Sequence, residues 1–145
     1  DITITNAICF SPDGSTAYFT DTRTGVILQQ ALDAEGWPVG PATTFVDLTS
    51  EGLNPDGAIV DAEGCLWNAQ WGAGRVARYA PNGELLETVA VPAQQASCPG
   101  FGGPDLKTLF VTTAAIDAAP EDTAAGQTFA CKTAFKGQRE YKVIL

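Results

Sequence analysis

A chain of 145 residues with 45% hydrophobic content is long enough for one globular domain with a buried core. Its net charge of −9, with basic residues scattered except for a short stretch at 132–142, argues against nucleic-acid binding, and no apolar run reaches the roughly 18 residues of a membrane helix. The complete lack of histidine removes the commonest general base, the Ser-His-Asp triad and the usual zinc arrangements, so any catalysis must run on carboxylates or a metal.

In chain order, residues 1–5 have no partner of their own and read as the tail of a preceding unit; with neither a basic start nor an apolar run they are not a signal peptide. Four strands follow at 7–10, 16–20, 25–30 and 43–47, joined by links rich in Gly, Pro and Asp. A second set is expected at 57–60, 65–70, 75–79 and 85–91, its third link carrying Asn82-Gly83, a strong hairpin signal. The third set is 97–100, 108–112, and 127–130 with 141–145, interrupted by a polar loop over 117–125. Nothing longer than a turn has a helical period.

The sets repeat one plan. NAICFSPDGSTAYFTDT (6–22) and NPDGAIVDAEGCLWNAQW (54–71) each hold a strand headed by a polar residue, a turn and a second strand, and a weaker copy runs over 98–113. The turn residues Pro12, Ala62 and Pro104 are separated by 50 and 42 residues. Such a period, filled with strands, predicts an all-β chain built of β-propeller blades. Three blades cannot close a ring, and closure is what hides the edges of a propeller. The expectation is half of a six-bladed ring over 1–145, completed by a missing N-terminal half or by a second copy in a homodimer. The four cysteines, at 9, 65, 98 and 131 with no CxxC pair, read as reduced core or near-core residues, with cytoplasm as the default compartment.

Asn6-Ala7-Ile8 ahead of SPDG and YFTDT, Asn54-Pro55-Asp56-Gly57 with DAEGCLWNAQWGAGRVARY, and ASCPGFGGPDLKTLFVTTA resemble the regucalcin/gluconolactonase family, also called senescence marker protein and luciferin-regenerating-enzyme-like proteins. The resemblance runs along essentially the whole chain and covers the second half of that family's fold. It implies one divalent cation, Ca2+ or Zn2+, at the channel mouth, held by Asn6, by Asp56 and by a Glu upstream of residue 1. It further implies hydrolysis of a sugar lactone, with Asp56 both ligating the cation and accepting a proton from water. The competing reading is a non-catalytic calcium-binding or structural module, because propellers host many functions.

Without the resemblance, Asn6 and Asp56-Gly57 also suit ordinary turns. Asp13, Asp61 and Asp105, which share the turn position of each repeat, and Asp21 read as structural. Trp67 is assigned to the core, whereas Trp71 is equally compatible with core packing or stacking on a sugar ring. Ser97 has no basic neighbour in sequence to make it a nucleophile, and the Gly-rich stretches 72–74 and 100–103 lack the strand-to-helix setting of phosphate loops.

Overall fold

The computed structural model describes residues 1–140. These form three antiparallel sheets with the strands of each in chain order. The first holds β1 (Thr5–Phe10), β2 (Thr16–Asp21), β3 (Val26–Ala31) and β4 (Thr43–Asp47). The second holds β5 (Asn54–Val60), β6 (Leu66–Trp71), β7 (Arg75–Tyr79) and β8 (Leu85–Ala90). The third holds β9 (Ala96–Gly102), β10 (Thr108–Thr113) and β11 (Thr128–Lys132). Each sheet is one blade of a propeller.

The repeat seen in the sequence is built from one turn used three times. The amides of Gly14, Gly64 and Leu106 donate to the carbonyls of Ser11, Asp61 and Gly103 at 2.9, 3.0 and 3.2 Å. The fourth residue has positive φ in every case, 72°, 83° and 56°. Glycine meets that demand without steric cost, whereas Leu106 meets it under strain. Asp61 therefore stands first in its turn, aligned with Ser11 and Gly103, and not at the third position that Asp13 and Asp105 hold. This corrects the grouping of the three aspartates.

Blade 2 is buried on both faces, as the alternation of its strands allows. Leu66, Ala77 and Tyr79 join Tyr18, Ile27, Val46 and Leu48 in one apolar cluster with blade 1. Trp67, Ala69 and Val76 join Ala96, Leu109 and Val111 in a second, against blade 3. Removing such side chains from water contributes roughly 1.5–3 kcal/mol apiece. The far faces of the outer blades stay open, leaving Ile8 62%, Phe10 38% and Phe110 41% exposed.

The polar centre of this packing is Asp61, which is fully buried. Its Oδ1 accepts the amides of Glu63 and Cys65, both at 2.9 Å. Its Oδ2 accepts Trp67 Nε1 at 2.9 Å and Arg78 Nε at 3.0 Å, and Arg78 Nη2 stands 2.9 Å away. Arg78 also reaches Glu63 at 2.7 Å, and the ring of Phe135 lies 3.5 Å from the guanidinium carbon. Residues 136–138 cross the same rim. Ala62 donates to the Lys136 carbonyl and Gly137 to that of Leu106, each at 2.8 Å, while Gln138 Nε2 reaches the Phe10 carbonyl at 2.9 Å. The tail thus ties all three blades together at their turns.

Several expectations change in detail. Residues 1–5 do have a partner: Asp21 accepts the amides of Thr3 and Ile4 at 2.7 and 3.1 Å, and Thr22 donates to the Ile4 carbonyl at 3.0 Å. The outer strand expected at 127–130 runs as Thr128–Lys132, and the strand expected at 141–145 lies outside the described residues. Cys65 is buried just ahead of β6, not within a strand. All four cysteines are free, yet only Cys9 and Cys65 are buried; Cys131 lies on the outer strand β11, and Cys98, though exposed as a residue, packs its Sγ against Gly57 of β5.

Removing the Asp61 carboxylate strands a buried guanidinium and an indole N–H, a loss of about 3–5 kcal/mol for a broken buried pair. Asp61→Ala is therefore expected to lower the urea midpoint severely. Asp13 differs: hydrogen bonds from Ser11 and Ser15 hold its exposed carboxyl down to about 2. Its folded-state pKa is depressed, so its contribution is present above pH 4 and is lost as pH falls through about 2. Asp13→Ala should leave a much smaller deficit than Asp61→Ala, one that vanishes in acid, as urea melts at pH 7 and pH 2 will test.

Candidate functional site

The inner strands β1, β5 and β9 lie side by side, β5 between the other two. Each leaves its turn at one rim and begins at the opposite rim, and each breaks register with its outer neighbour close to that beginning. The irregularities fall between Asn6 and Cys9 in β1, between Pro55 and Ala58 in β5, and opposite Thr112 and Thr113 in β9. Bulges of this kind re-aim side chains and cluster beside functional sites. Asn6 and Asp56 lie at the first two. Ala7, next to Asn6, has φ of 57°, a strained conformation for a residue with a Cβ.

Asn6 Nδ2 donates to Thr22 Oγ1 at 3.0 Å, which commits the amide nitrogen and leaves the carboxamide oxygen as its available donor atom. Asp56 is half-buried, and among the described residues no Lys or Arg pairs with it. Burial pushes its carboxyl up to about 6 from an ordinary value of 3.8, against a partial offset from the Gly57 amide. A desolvated carboxylate without a counter-charge, beside a neutral oxygen donor, is the set that a hard divalent cation takes. The residues present therefore fit the cation that the resemblance implied.

The strand carrying Asp56 is clamped from two sides. A Cβ on Gly57 would lie 2.6 Å from the Ser97 carbonyl oxygen and 2.7 Å from Cys98 Sγ, so β9 can approach β5 this closely only because residue 57 is glycine. On the other side Asn68, fully buried in β6, donates through Nδ2 to the carbonyls of Asp56 at 3.1 Å and Gly57 at 3.2 Å. Burial and the nearby Asp56 together push the Cys98 thiol above its ordinary range.

Other sequence candidates separate clearly. Trp67 is core, its indole held by Asp61 and its ring edge-on to Phe101 at 5.5 Å. Trp71 is half-buried and pairs with Asn54 at the head of β5, so it stands at the same rim as Asp56. Ser97 Oγ shares a 2.8 Å hydrogen bond with Thr112 Oγ1, not with a base. Asp21 and Asp105 hold turns, Asp105 also pairing with Lys132 at 3.5 Å. Asp61, Glu63 and Cys65 bring ligand-type atoms within 4.8 Å of one another, but both Asp61 oxygens are already engaged and Arg78 supplies the positive charge.

Two residues escaped the reading of the sequence. Cys98 follows Asp56 by the 42-residue spacing that separates their turns, just as Asp56 follows Asn6 by 50. That spacing was available as a signal. Asn68 was not: nothing in one sequence separates a buried amide from a solvated one.

Comparison with known proteins meets this geometry. The family described as SMP-30/Gluconolactonase/LRE-like region matches residues 1–115. The chain is 42% identical to an L-arabinolactonase of Azospirillum brasilense over 139 residues, covering 92% of this chain and 45% of the relative. It is 36% identical to a 6-deoxy-6-sulfogluconolactonase of Pseudomonas putida over 124 residues, covering 86% and 43%. Its fold superposes with a TM-score of 0.92 and 42% identity on the crystal structure of a calcium-binding protein, regucalcin, from Agrobacterium tumefaciens, covering 97% of this chain and 49% of that one. The chain spans about half the length of the curated relatives it matches. With most of its length matched and the blade plan shared, the chain belongs to the SMP-30/gluconolactonase/LRE-like family.

Proposed function

We propose that this chain is three blades of a six-bladed sugar lactonase, and that Asn6 and Asp56 hold the divalent cation with a further acidic ligand from another blade. The observation that carries the reading is the half-buried Asp56 carboxylate, unpaired with any cation among the described residues, at the head of an inner strand whose neighbour β1 carries Asn6 at its own head. A Ca2+ or Zn2+ ion held by Asn6 and Asp56 would supply Lewis-acid polarisation of the lactone carbonyl.

Asp56 takes a proton from the water whose oxygen adds to the carbonyl carbon. The ring C–O bond then breaks, and the departing ring oxygen takes up a proton to give the open hydroxy acid. A carboxylate that ligates a cation has its pKa held low and is a weak base, so the cation would supply most of the activation of that water. Trp71, at the same rim, offers a ring face against which a sugar can stack. The substrate class rests on the names of the relatives, two of which are lactonases.

The exposed apolar residues on the far faces of blades 1 and 3 support ring closure, by a preceding half or by a second copy of this chain. Four free cysteines fit a reducing compartment, the cytoplasm, and no helix of the described residues is long and apolar enough to cross a membrane. A second reading, a cation-binding module without catalysis, is supported by the likeness to the calcium-binding regucalcin.

A pH-stat assay over aldono-lactones with added Ca2+, Zn2+ or Mn2+ separates the two readings. In the ring-complete protein, Asp56→Ala should lower turnover by at least a thousandfold, Asn6→Ala should raise the cation concentration needed, and Asp13→Ala should change neither. Unchanged turnover in Asp56→Ala sinks the assignment, and cation binding with no turnover of any lactone favours the module. The isolated chain should show little activity.

A second test needs no substrate. In EDTA, the raised Asp56 pKa means that the folded state binds its proton more tightly than the unfolded state. Stability should therefore fall as pH rises from about 4 through 6. Asp56→Asn should abolish that fall and be more stable than wild type at pH 7 by roughly 1 kcal/mol, a value discounted because solvent screens a half-exposed carboxylate. Added calcium should reverse the order, stabilising wild type alone.

A further inference from the structure

Asn68 makes an arrangement that stability alone does not account for. It is fully buried at the centre of β6. Its Nδ2 bridges the carbonyls of Asp56 and Gly57, the two residues that the β5 bulge leaves without partners in the β6 ladder. Its Oδ1 is buried with no hydrogen-bond partner. An orphaned buried acceptor is a standing cost, and native proteins keep few of them. An apolar side chain here would leave two carbonyls bare, whereas an amide satisfies both and sacrifices one oxygen.

Across the strand, Gly57 is pinned by Ser97 and Cys98 of β9. The backbone from Asp56 to Ala58 is therefore gripped from β6 by two hydrogen bonds, one to each of two successive peptides, and from β9 by close packing on Gly57. Rotation of the first of these peptides is what would swing the Asp56 side chain away from the rim.

We propose that Asn68 is a positioning residue, holding the Asp56–Gly57 bulge so that the Asp56 carboxylate faces the cation site. This rests on the reading of Asp56 as a cation-binding carboxylate. Outer partners of this kind are worth roughly 10- to 100-fold in metal affinity when removed.

The test measures Mn2+ binding by the ring-complete protein, from the electron paramagnetic resonance signal of free Mn2+, beside urea melts in EDTA. Variants are Asn68→Leu, Asn68→Ala, Asp56→Asn and Gln70→Met. Gln70 is a second fully buried amide of β6, but its side chain engages Tyr79 and Arg75 and touches neither bulge carbonyl. The expected result is a loss of Mn2+ affinity of at least tenfold in Asn68→Leu, with Gln70→Met binding within twofold of wild type even where its melt is equally lowered. Asn68→Ala, which risks no overpacking, should show the same loss if the leucine variant does not fold. Binding within twofold of wild type in a folded Asn68 variant, while Asp56→Asn has lost it, overturns the positioning role and leaves Asp56 intact. Equal losses in Gln70→Met and Asn68→Leu overturn it as well, since the effect would then follow stability. Unchanged binding in Asp56→Asn overturns the underlying reading instead.

Discussion

The approach of β5 to β9 is the constraint on which the rest depends. Blades arranged around an axis converge toward it, so their innermost strands must come closer together than sheets packed face to face, about 10 Å apart. At Gly57 the separation leaves no room for even a methyl group against the Ser97 carbonyl. At this same point the strand bulges instead of continuing its ladder with β6. The bulge re-aims Asp56, and the same departure from the ladder is repeated in β1 beside Asn6, where Ala7 takes up a strained conformation. Close packing of the inner strands and the presentation of oxygen donors at one rim therefore meet in the same few residues.

The molecule also separates its charges by rim. At the turns, Asp61 is buried in full but saturated by Arg78, an indole and two amides, and the tail from Phe135 to Gln138 caps it. At the strand heads, Asp56 is less buried yet is paired with no cation among the described residues, and its carboxyl is pushed upward. The more deeply buried carboxylate is thus structural and the shallower one is poised for a ligand. Burial by itself does not distinguish them; the presence or absence of an internal partner does.

Much of this was legible in the sequence, for physical reasons that can be named. Turn chemistry is local, so SPDG, DAEG and GPDL announced three equivalent turns, and the spacing of 50 and 42 residues between them announced blades. The polar residue at the head of two inner strands was legible for the same reason. What failed was whatever depends on neighbours distant in sequence. Cys98 and Cys131 sit in apolar-looking strands, but Cys131 lies on the outer strand of its blade and Cys98 beside the β9 register break with only its Sγ packed on Gly57, so hydrophobic pattern alone misjudged their exposure. The segment 1–5 looked partnerless because its partner is the carboxylate of Asp21, which offers no backbone pattern to recognise. Asp61 looked like one more turn aspartate because its burial is created by Trp67, Arg78 and Phe135, 6, 17 and 74 residues away.

Asn68 marks the limit of such reading. A polar residue flanked by Trp67 and Ala69 interrupts the apolar run of its strand, and local pattern assigns it to solvent or treats it as a defect. Its role exists only once the bulge exists, because the bulge creates the two unpaired carbonyls that the amide satisfies. The bulge also leaves Gly57 where the third blade packs against it. The buried amide thus answers a backbone irregularity that only the folded sheet contains. A site of this kind is best searched for by asking which buried polar groups serve the backbone of a neighbouring strand, and what that strand carries.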